Sequence, residues 1–453
     1  MLWSTGRAGL ATASYRELFA EPALRRLALA DVCARLPQGM VSIALLLVAA
    51  QHASMTVAGL VVAGYTLGQA VTGPLRGRLA DQRGLVPVAT ACTIGYAAAL
   101  LALLASALSR GPAGLVIGTA VLAGLLNPPL SPGLRSLWSA QAGARLKQTA
   151  FALDAAVFDL AYITGPVLAS ALATGLAPAA ALGLLLALSA AAVITIARSA
   201  AGPPASAGPS HLPHPSHPPR PARGSRPQLS PLRSRSLREL LLTAALANAA
   251  LSATEVALTA YVRHHHALWA SGPLLAEVSL GSIAGSLLLG ARGSAGQAAQ
   301  PYRRLPRLLA GYTGGLALLT AAGLYPPLLG VAAPLAGLCV GSTLATLFGA
   351  AAGAAPHGRG TETQAWINSI MNGGAAGGAA AVSAVITSIL RPPRPRKTPP
   401  DTHGTGARTP ARSARKKERK TRQHRAERAG GYGPKEVRPC ALGHRSACST
   451  RRS

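Results

Sequence analysis

Several features that identify common classes of protein are absent or scarce in this sequence. No glycine-rich loop of the P-loop type occurs, so ATP is not the expected energy source. The five cysteines form no C-x-x-C pair, and the sequence predicts no disulfide framework. Charged residues make up only 13% of the 453 residues and aromatic residues only 4%. What remains is a chain that is 49% hydrophobic and rich in glycine and proline.

The apolar residues are grouped in runs that are too long for ordinary core helices. A mean hydropathy of +0.31 accompanies runs of about 20 residues, the length that crosses a bilayer. The pattern predicts eleven spans, which start near Leu27, Val57, Val86, Ala113, Ala152, Pro178, Leu240, Gly272, Leu308, Pro327 and Ala365. Because Arg25 and Arg26 precede a first run that is too long and too polar for a signal peptide, we expect the first span to be retained.

Lysine and arginine are distributed unevenly between the predicted loops. Cytoplasmic loops keep positive charge, whereas translocated loops carry little. The loops after even-numbered spans are basic, from the arginines of residues 76–83 to Arg359, but those after odd-numbered spans carry only Arg110 and Arg263. The bias predicts a multi-pass protein of the cell membrane with a cytoplasmic N-terminus, and places residues 73–84 in a cytoplasmic hairpin.

Two segments lie outside the predicted spans. Residues 199–237 are rich in proline, serine, histidine and arginine, a composition that predicts a disordered cytoplasmic linker. Residues 391–453 hold 19 Lys or Arg against 4 Asp or Glu and have no apolar run. The sequence thus predicts six spans in residues 1–198, five in residues 238–390, and a disordered basic tail.

The octapeptide GRLADQRG resembles the signature between helices 2 and 3 of the major facilitator superfamily, which is roughly G-x-L-a-D-r-x-G-r. The matching positions are Gly77, Leu79, Ala80, Asp81 and Gly84. Gln82 and Leu85 depart from the signature, and Arg83 supplies a charge between them. The resemblance covers residues 20–390. It implies an all-α membrane protein of two six-helix halves, with helices 2, 5, 8 and 11 at their interface and the twelfth helix missing here.

The resemblance also implies a gating role for the octapeptide. In the family the aspartate contacts the cytoplasmic start of helix 11, which here reads RGTETQAW. Thr361 is the N-cap candidate at that start, and its free backbone amides suit a carboxylate such as Asp81. Gly77 and Gly84 permit a tight turn and a close backbone approach. The simpler alternative is a basic turn that only sets the topology.

Polar residues recur at helical spacing inside three apolar spans. An ionisable group in a span is costly and usually faces a cavity. The stripes are Asp31, Arg35 and Gln38 in span 1, Asn248, Ser252 and Glu255 in span 7, and Gln364, Asn368 and Asn372 in span 11. The family fold places spans 1 and 7 on the central cavity. Asp31 and Arg35 stand four apart and form an ion pair on a helix, for which a position among lipid headgroups is the alternative.

Span 5 contains two aspartates and a Gly165-Pro166 pair. The pair resembles part of the helix-5 motif of drug/proton antiporters, although the flanking glycines are missing. Asp154 lies near the cytoplasmic end, which favours a structural role. Asp159 lies deeper and is the better proton carrier, because a low-dielectric cavity favours the neutral form of a carboxyl group.

Metal or cofactor binding is not predicted. His211, His214 and His217, and the run from His264 to His266, lack fixed partners and favour solvated loops. Small residues four apart, such as Gly64 with Gly68 and Gly373 with Gly377, indicate close helix packing. We expect a monomer that is embedded in the lipid bilayer and binds protons and a small-molecule substrate. No nucleic-acid partner is expected.

Together, the resemblance and the lack of a P-loop predict a secondary transporter rather than an enzyme. Proton-coupled efflux of a small drug-like or metabolite compound is the first hypothesis. The Ala-, Gly- and Arg-rich composition and the segments RLPQGMVSIALLL and QAWINSIMNGGAAGGAA resemble actinobacterial efflux carriers. Proton-coupled uptake of a sugar or another metabolite is the alternative. A third hypothesis is a membrane protein that does not transport and whose basic tail binds nucleic acid or anionic lipid.

The tail generates a prediction about the gene. Eleven spans after a cytoplasmic N-terminus place a segment of net charge +15 outside the cell, against the charge bias of the preceding loops. A frameshift near codon 390 explains both this tail and the missing helix. Translation of the two other frames beyond codon 390 is expected to reveal roughly 20 consecutive apolar residues in one of them. If neither frame contains such a run, the basic tail is native.

Overall fold

The computed structural model describes residues 13–51, 53–200, 230–265, 270–292 and 301–390, and these residues form helices without any strand. A short helix of residues 13–20 comes first. The long helices are α1 (Pro22–Ala50), α2 (Met55–Arg83), α3 (Leu85–Leu108), α4a (Ala113–Leu126), α4b (Leu130–Gln141), α5 (Gly143–Gly175), α6 (Pro178–Ala200), α7 (Arg235–His264), α8 (Ser271–Ala291), α9 (Pro301–Ala322), α10 (Leu329–Ala354) and α11 (Gly360–Leu390). Most of the predicted linker, the basic tail, and the histidines His211, His214, His217 and His266 lie outside the described residues.

Ten of the helices in the described ranges are long and apolar enough to span a bilayer, with α4a and α4b counted as one span. The sequence predicted eleven, and α9 is the exception. This helix has 22 residues, but Arg303, Arg304 and Arg307 lie in its first two turns, so its apolar part begins only at Leu308. Within the described residues, no helix follows α11.

Two element boundaries differ from the prediction. The fourth span is broken at Asn127, because Pro128 and Pro129 cannot donate the backbone hydrogen bonds that would continue the helix. The seventh helix begins at Arg235, inside the predicted linker. Its N-cap is Ser234, whose hydroxyl accepts a hydrogen bond from the Leu237 N–H at 3.4 Å.

The helices form two halves, α1 to α6 and α7 to α11. In the first half α1 packs on α5 and α6, and in the second half α10 packs on α8 and α9 while α11 packs on α7. The halves meet where α2 contacts α11 and where α5 contacts α8 and α10. The participation of helices 2, 5, 8 and 11 in this interface agrees with the family fold.

Glycine allows the closest helix contacts, and most of these lie within a half. A Cβ atom on Gly281 or Gly285 of α8 would collide with the backbone of α10. Gly378 of α11 lies equally close to Ala249 of α7, whereas a Cβ on its neighbour Gly377 would meet no atom within 4 Å. The predicted glycine spacing in α11 was therefore one residue out of register, because Gly374 and Gly378 form the contact face.

This difference between neighbours predicts opposite effects of one substitution. Gly378→Ala is expected to destabilise the protein by about 1–3 kcal/mol, because the new methyl group overlaps the α7 backbone. Gly377→Ala has open space and gains up to about 1 kcal/mol of helix propensity. Thermal unfolding of the two purified variants in detergent measures the difference. Equal melting temperatures would contradict the contact.

Candidate functional site

A cavity of about 440 Å³ lies between the two halves, a size typical of small-molecule sites. Helices of both halves contribute to its wall. Its polar wall residues include Arg35, Gln38, Gln69, Arg76, Asn127, Asp159, Asn248, Ser252, Glu255, Ser282, Asn368, Ser369 and Asn372. Apart from Asp31 and Gln364, each residue of the predicted polar stripes lies on this wall, and so does Asp159.

Asp31 instead lies behind the wall in a buried network of charges. The Arg35 Nε donates to Asp31 Oδ1 at 3.2 Å, as their spacing predicted. Another nitrogen of Arg35 donates to Asp154, and Arg135 Nε donates to the second oxygen of Asp154 at 2.8 Å. All four side chains are at most 1% exposed, so the headgroup alternative for Asp31 is wrong. Two carboxylates neutralise two guanidinium groups here.

Arg135 connects this network to the second half. Its Nη1 donates to the side-chain oxygen of Asn368 on α11 at 2.7 Å, and its Cζ lies 3.3 Å from the ring centroid of Phe348 on α10. A guanidinium over an aromatic face is attracted by the ring electrons. Arg135 therefore holds α4b against α10 and α11 while remaining neutralised by Asp154.

The two cavity carboxylates have no cationic partner in the described part of the chain. Asp159 of α5 accepts a hydrogen bond from the Ser282 hydroxyl of α8, which joins the halves. Glu255 of α7 forms neither a hydrogen bond nor an ion pair through its side chain with any described residue. Asp159 is buried and Glu255 is exposed, and an ionisable group without a cationic partner inside a span marks a candidate functional site.

The predicted amide residues share the wall but differ in their contacts. Asn248 of α7 donates to the Met371 carbonyl of α11 at 2.8 Å, and Gln38 of α1 donates to the Ser131 hydroxyl of α4b. Asn372 lines the cavity without a hydrogen bond to any described residue. Gln364, predicted in the same stripe as Asn372, is buried against α10, where it donates to the Phe348 carbonyl at 3.0 Å.

The octapeptide of residues 77–84 forms a pair of hydrogen bonds between the halves. Asp81 Oδ1 accepts from the Thr361 N–H at 3.0 Å, and Asp81 Oδ2 accepts from the Glu362 N–H at 2.8 Å. These amides belong to the first turn of α11 and have no acceptor within their own helix. A carboxylate also interacts favourably with the positive end of the helix dipole.

The local structure of the octapeptide differs from the predicted hairpin. Helix α2 continues through it to Arg83, and Gly84, with φ of 92°, separates α2 from α3. Gly77 is helical, and a Cβ on it would lie 2.9 Å from the Thr361 carbonyl oxygen, so it permits the approach of α11 rather than a turn. Leu79 is half-buried and Arg83 is exposed.

Thr361 is not the N-cap of α11, because the helix already begins at Gly360. Two arginines that were counted as loop charges are also placed differently. Arg76 lies in α2 and Arg135 in α4b, and both are buried. The predicted orientation therefore depends on the other basic residues, such as the exposed Arg78 and Arg145.

A second set of contacts closes the same end of the molecule. Thr149 of α5 donates to the Gly290 carbonyl at 2.9 Å, and Gln148 donates to the Leu289 carbonyl at 3.0 Å. Tyr15 donates to Leu287, one turn earlier in α8. These groups satisfy carbonyls at the C-terminus of α8. Between described residues, no hydrogen bond joins the opposite ends of the halves, so the cavity is closed where α2 ends and α11 begins. We call this the closed end.

Sequence patterns missed Arg135 and Arg76 because both were assigned to loops. A helical period extended beyond each apolar run would have placed them on the inner faces of their helices. Ser282 has no comparable signal, because a serine in an apolar helix is common and satisfies itself with its own backbone.

Comparison with solved structures shows the same fold in distant proteins. A human organic anion transporter is 19% identical, with a TM-score of 0.61 over 80% of this chain and 94% of that chain. A bacterial homologue of the iron transporter ferroportin, in an outward-facing state, is 14% identical, with a TM-score of 0.62 over 80% and 92%. The Escherichia coli fucose:proton symporter is 14% identical, with a TM-score of 0.58 over 81% and 92%.

The sequence comparisons are of two kinds. No curated protein sequence matches this chain significantly. The family profile of the Major Facilitator Superfamily matches residues 27–379, which is most of the chain. The two-half fold, the central cavity and the GRLADQRG segment agree with this match. The chain therefore belongs to the major facilitator superfamily, whose members are transporters and not enzymes.

Proposed function

We propose that this protein is a secondary active transporter that carries a small compound through the 440 Å³ cavity by alternating access, coupled to protons. The cavity carries this proposal: it lies between two halves whose described residues form hydrogen bonds at the closed end and at mid-depth, but not at the opposite end. Opening the closed end and joining the opposite ends would expose the same cavity to the other side of the membrane.

The contacts at the closed end suit a reversible gate. Asp81 joins the halves through hydrogen bonds to a helix terminus, and Arg135 joins them through a hydrogen bond to Asn368. Such bonds exchange readily for water when the end opens. If the N-terminus is cytoplasmic, the described state faces outward, as does the ferroportin homologue of similar fold.

Asp159 and Glu255 are the proposed proton carriers. Both line the cavity and neither has a cationic partner among the described residues, so each changes its preference for the charged form when water enters. The fucose:proton symporter shares the fold, which supports proton coupling as a mechanism that this architecture accommodates.

For direction we propose efflux of a small drug-like or metabolite compound across the cell membrane by a monomer. The Gly165-Pro166 pair of α5, which lies close to Gly39 of α1, supports this choice by its resemblance to antiporters. Uptake of a sugar or another metabolite is the alternative. Transport assays with and without a proton uncoupler distinguish the two by direction.

If deletion of residues 391–453 abolishes the cellular phenotype while cavity variants do not, the non-transporting hypothesis is correct.

The first prediction concerns Asp81. Asp81→Asn removes the charge that interacts with the α11 terminus, and a charge-assisted hydrogen bond contributes about 1.5–3 kcal/mol. The population with an open end is expected to rise about 10-fold or more, and transport to fall, at normal membrane expression. Spin labels on cysteines introduced at the exposed positions Gln82 and His357, with the native cysteines replaced, measure the opening.

Arg83→Gln is the matched control, because Arg83 is exposed on the same helix and forms no ion pair among the described residues. The control should retain both the distance distribution and the transport rate. Wild-type behaviour of Asp81→Asn would show that the contact does not hold the end closed.

The second prediction concerns coupling. Asp159→Asn and Glu255→Gln are expected to abolish transport against a gradient, because an amide does not titrate, and to leave substrate exchange in place because the cavity is retained. Counterflow and proton-driven transport in proteoliposomes measure the two activities separately. Asn372→Ala is the matched control, because it alters the same wall without removing a titrating group. Gradient-driven transport by both carboxylate variants would place the proton site elsewhere.

A further inference from the structure

Arg76 is a buried cation in the cavity wall that has no carboxylate partner among the described residues. Its side chain is only 7% exposed. The other two buried arginines near the cavity, Arg35 and Arg135, share Asp154 and are neutralised. Arg76 forms no ion pair with any described residue, and the nearest carboxylate along α2, Asp81, is bonded to α11. The wall thus carries one uncompensated positive charge.

The hydrogen bonds of Arg76 leave one side of its guanidinium group unused. Its Nε donates to the Thr72 carbonyl at 3.3 Å and its Nη2 donates to the Gln69 carbonyl at 3.0 Å, both within α2. Its Nη1 is buried and donates to no described residue. A guanidinium nitrogen without an acceptor costs free energy when it is buried, unless a ligand or water supplies one.

The direction of the side chain places this group in the cavity. Side chains on a helix lean toward its N-terminus, and the bonds to Thr72 and Gln69 show that Arg76 does so. The lean is away from the closed end, where a snorkelling arginine would reach for headgroups, and toward the middle of the membrane. Gln69 and Arg76 both line the cavity.

Two amide side chains of the cavity wall add weaker groups of the same preference. The fourth span is broken at Asn127, which lines the cavity. The amide groups of Gln69 and Asn127 are hydrogen-bond donors on the same wall.

We propose that Arg76 binds the anionic group of the transported compound, so that the cavity takes small organic anions with a carboxylate or sulfonate group. Nη1 is the buried guanidinium nitrogen that lacks an acceptor, and an anion that reaches it would supply both the acceptor and the missing countercharge. This inference rests on the proposed transport function and specifies its substrate class. It concerns binding, which is measured without a gradient.

The test uses the purified full chain in phosphatidylcholine nanodiscs and isothermal titration with two probes of equal shape, naphthoate and the uncharged naphthamide. The wild type is expected to bind naphthoate about 10-fold or more tightly than naphthamide. Arg76→Gln should remove this preference while the affinity for naphthamide stays the same, and Arg76→Lys should retain part of it. Arg78→Gln is the matched control, because Arg78 lies on the same helix, is exposed and does not line the cavity.

Three results would overturn the proposal. The first is a wild type that shows no saturable naphthoate binding or no preference for it, and the second is an Arg76→Gln variant that keeps the preference. The third is loss of naphthoate binding when phosphatidylglycerol is added to the nanodiscs, which would assign Arg76 to a lipid headgroup. If Arg76→Gln does not fold, a normally folded Arg76→Lys variant with unchanged naphthoate affinity also opposes a site that depends on guanidinium geometry. Failure of the transport proposal is separate, because it appears in the gradient-driven assay.

Discussion

The ion pairs of the Asp154 carboxylate are the interactions on which the interior of this protein depends. The carboxylate holds two guanidinium groups, Arg35 and Arg135, in a region from which water is excluded. Removing one partner of a buried ion pair typically costs about 3–5 kcal/mol, because the remaining charge is left unpaired. Asp154 has two such partners, so it fixes the positions of α1, α4b and α5 together. Through Arg135 it also determines where the second half can dock.

The proposed gate at the closed end has the same physical basis as the network but uses backbone groups. The first amides of α11 have no acceptor in their own helix, and the described conformation satisfies them with Asp81 from the other half. At the same end, carbonyls of α8 are satisfied by Thr149 and Gln148. Helix termini that are completed across an interface favour two discrete states, since a partly open end would leave these groups without either protein or water partners.

The cavity differs from the closed end because its charged side chains have no partners of opposite charge among the described residues. Asp159 and Glu255 have no cationic partner among the described residues, and Arg76 has no anionic one. Pairing in a low-dielectric wall would fix each group in one protonation state and one set of contacts. Groups that remain unpaired stay available for a proton or a ligand. The charges behind the cavity wall neutralise one another and are structural. The charges on the wall are unpaired, and these are the proposed functional residues.

The sequence by itself determined the helical membrane architecture, the contact of Asp81 with the start of helix 11 and the Asp31–Arg35 pair, because apolar length, helical spacing and a family signature are local properties. Only the tertiary structure decided which buried charges meet. Asp154 bonds to Arg35, which is 119 positions away, and Arg135 bonds to Asn368 of the other half. The tertiary structure also decided that Arg76 lies inside a helix and has no carboxylate partner among the described residues, whereas the sequence alone places it in a loop. Pairing between distant segments depends on how the helices pack, and no local pattern of residues records it.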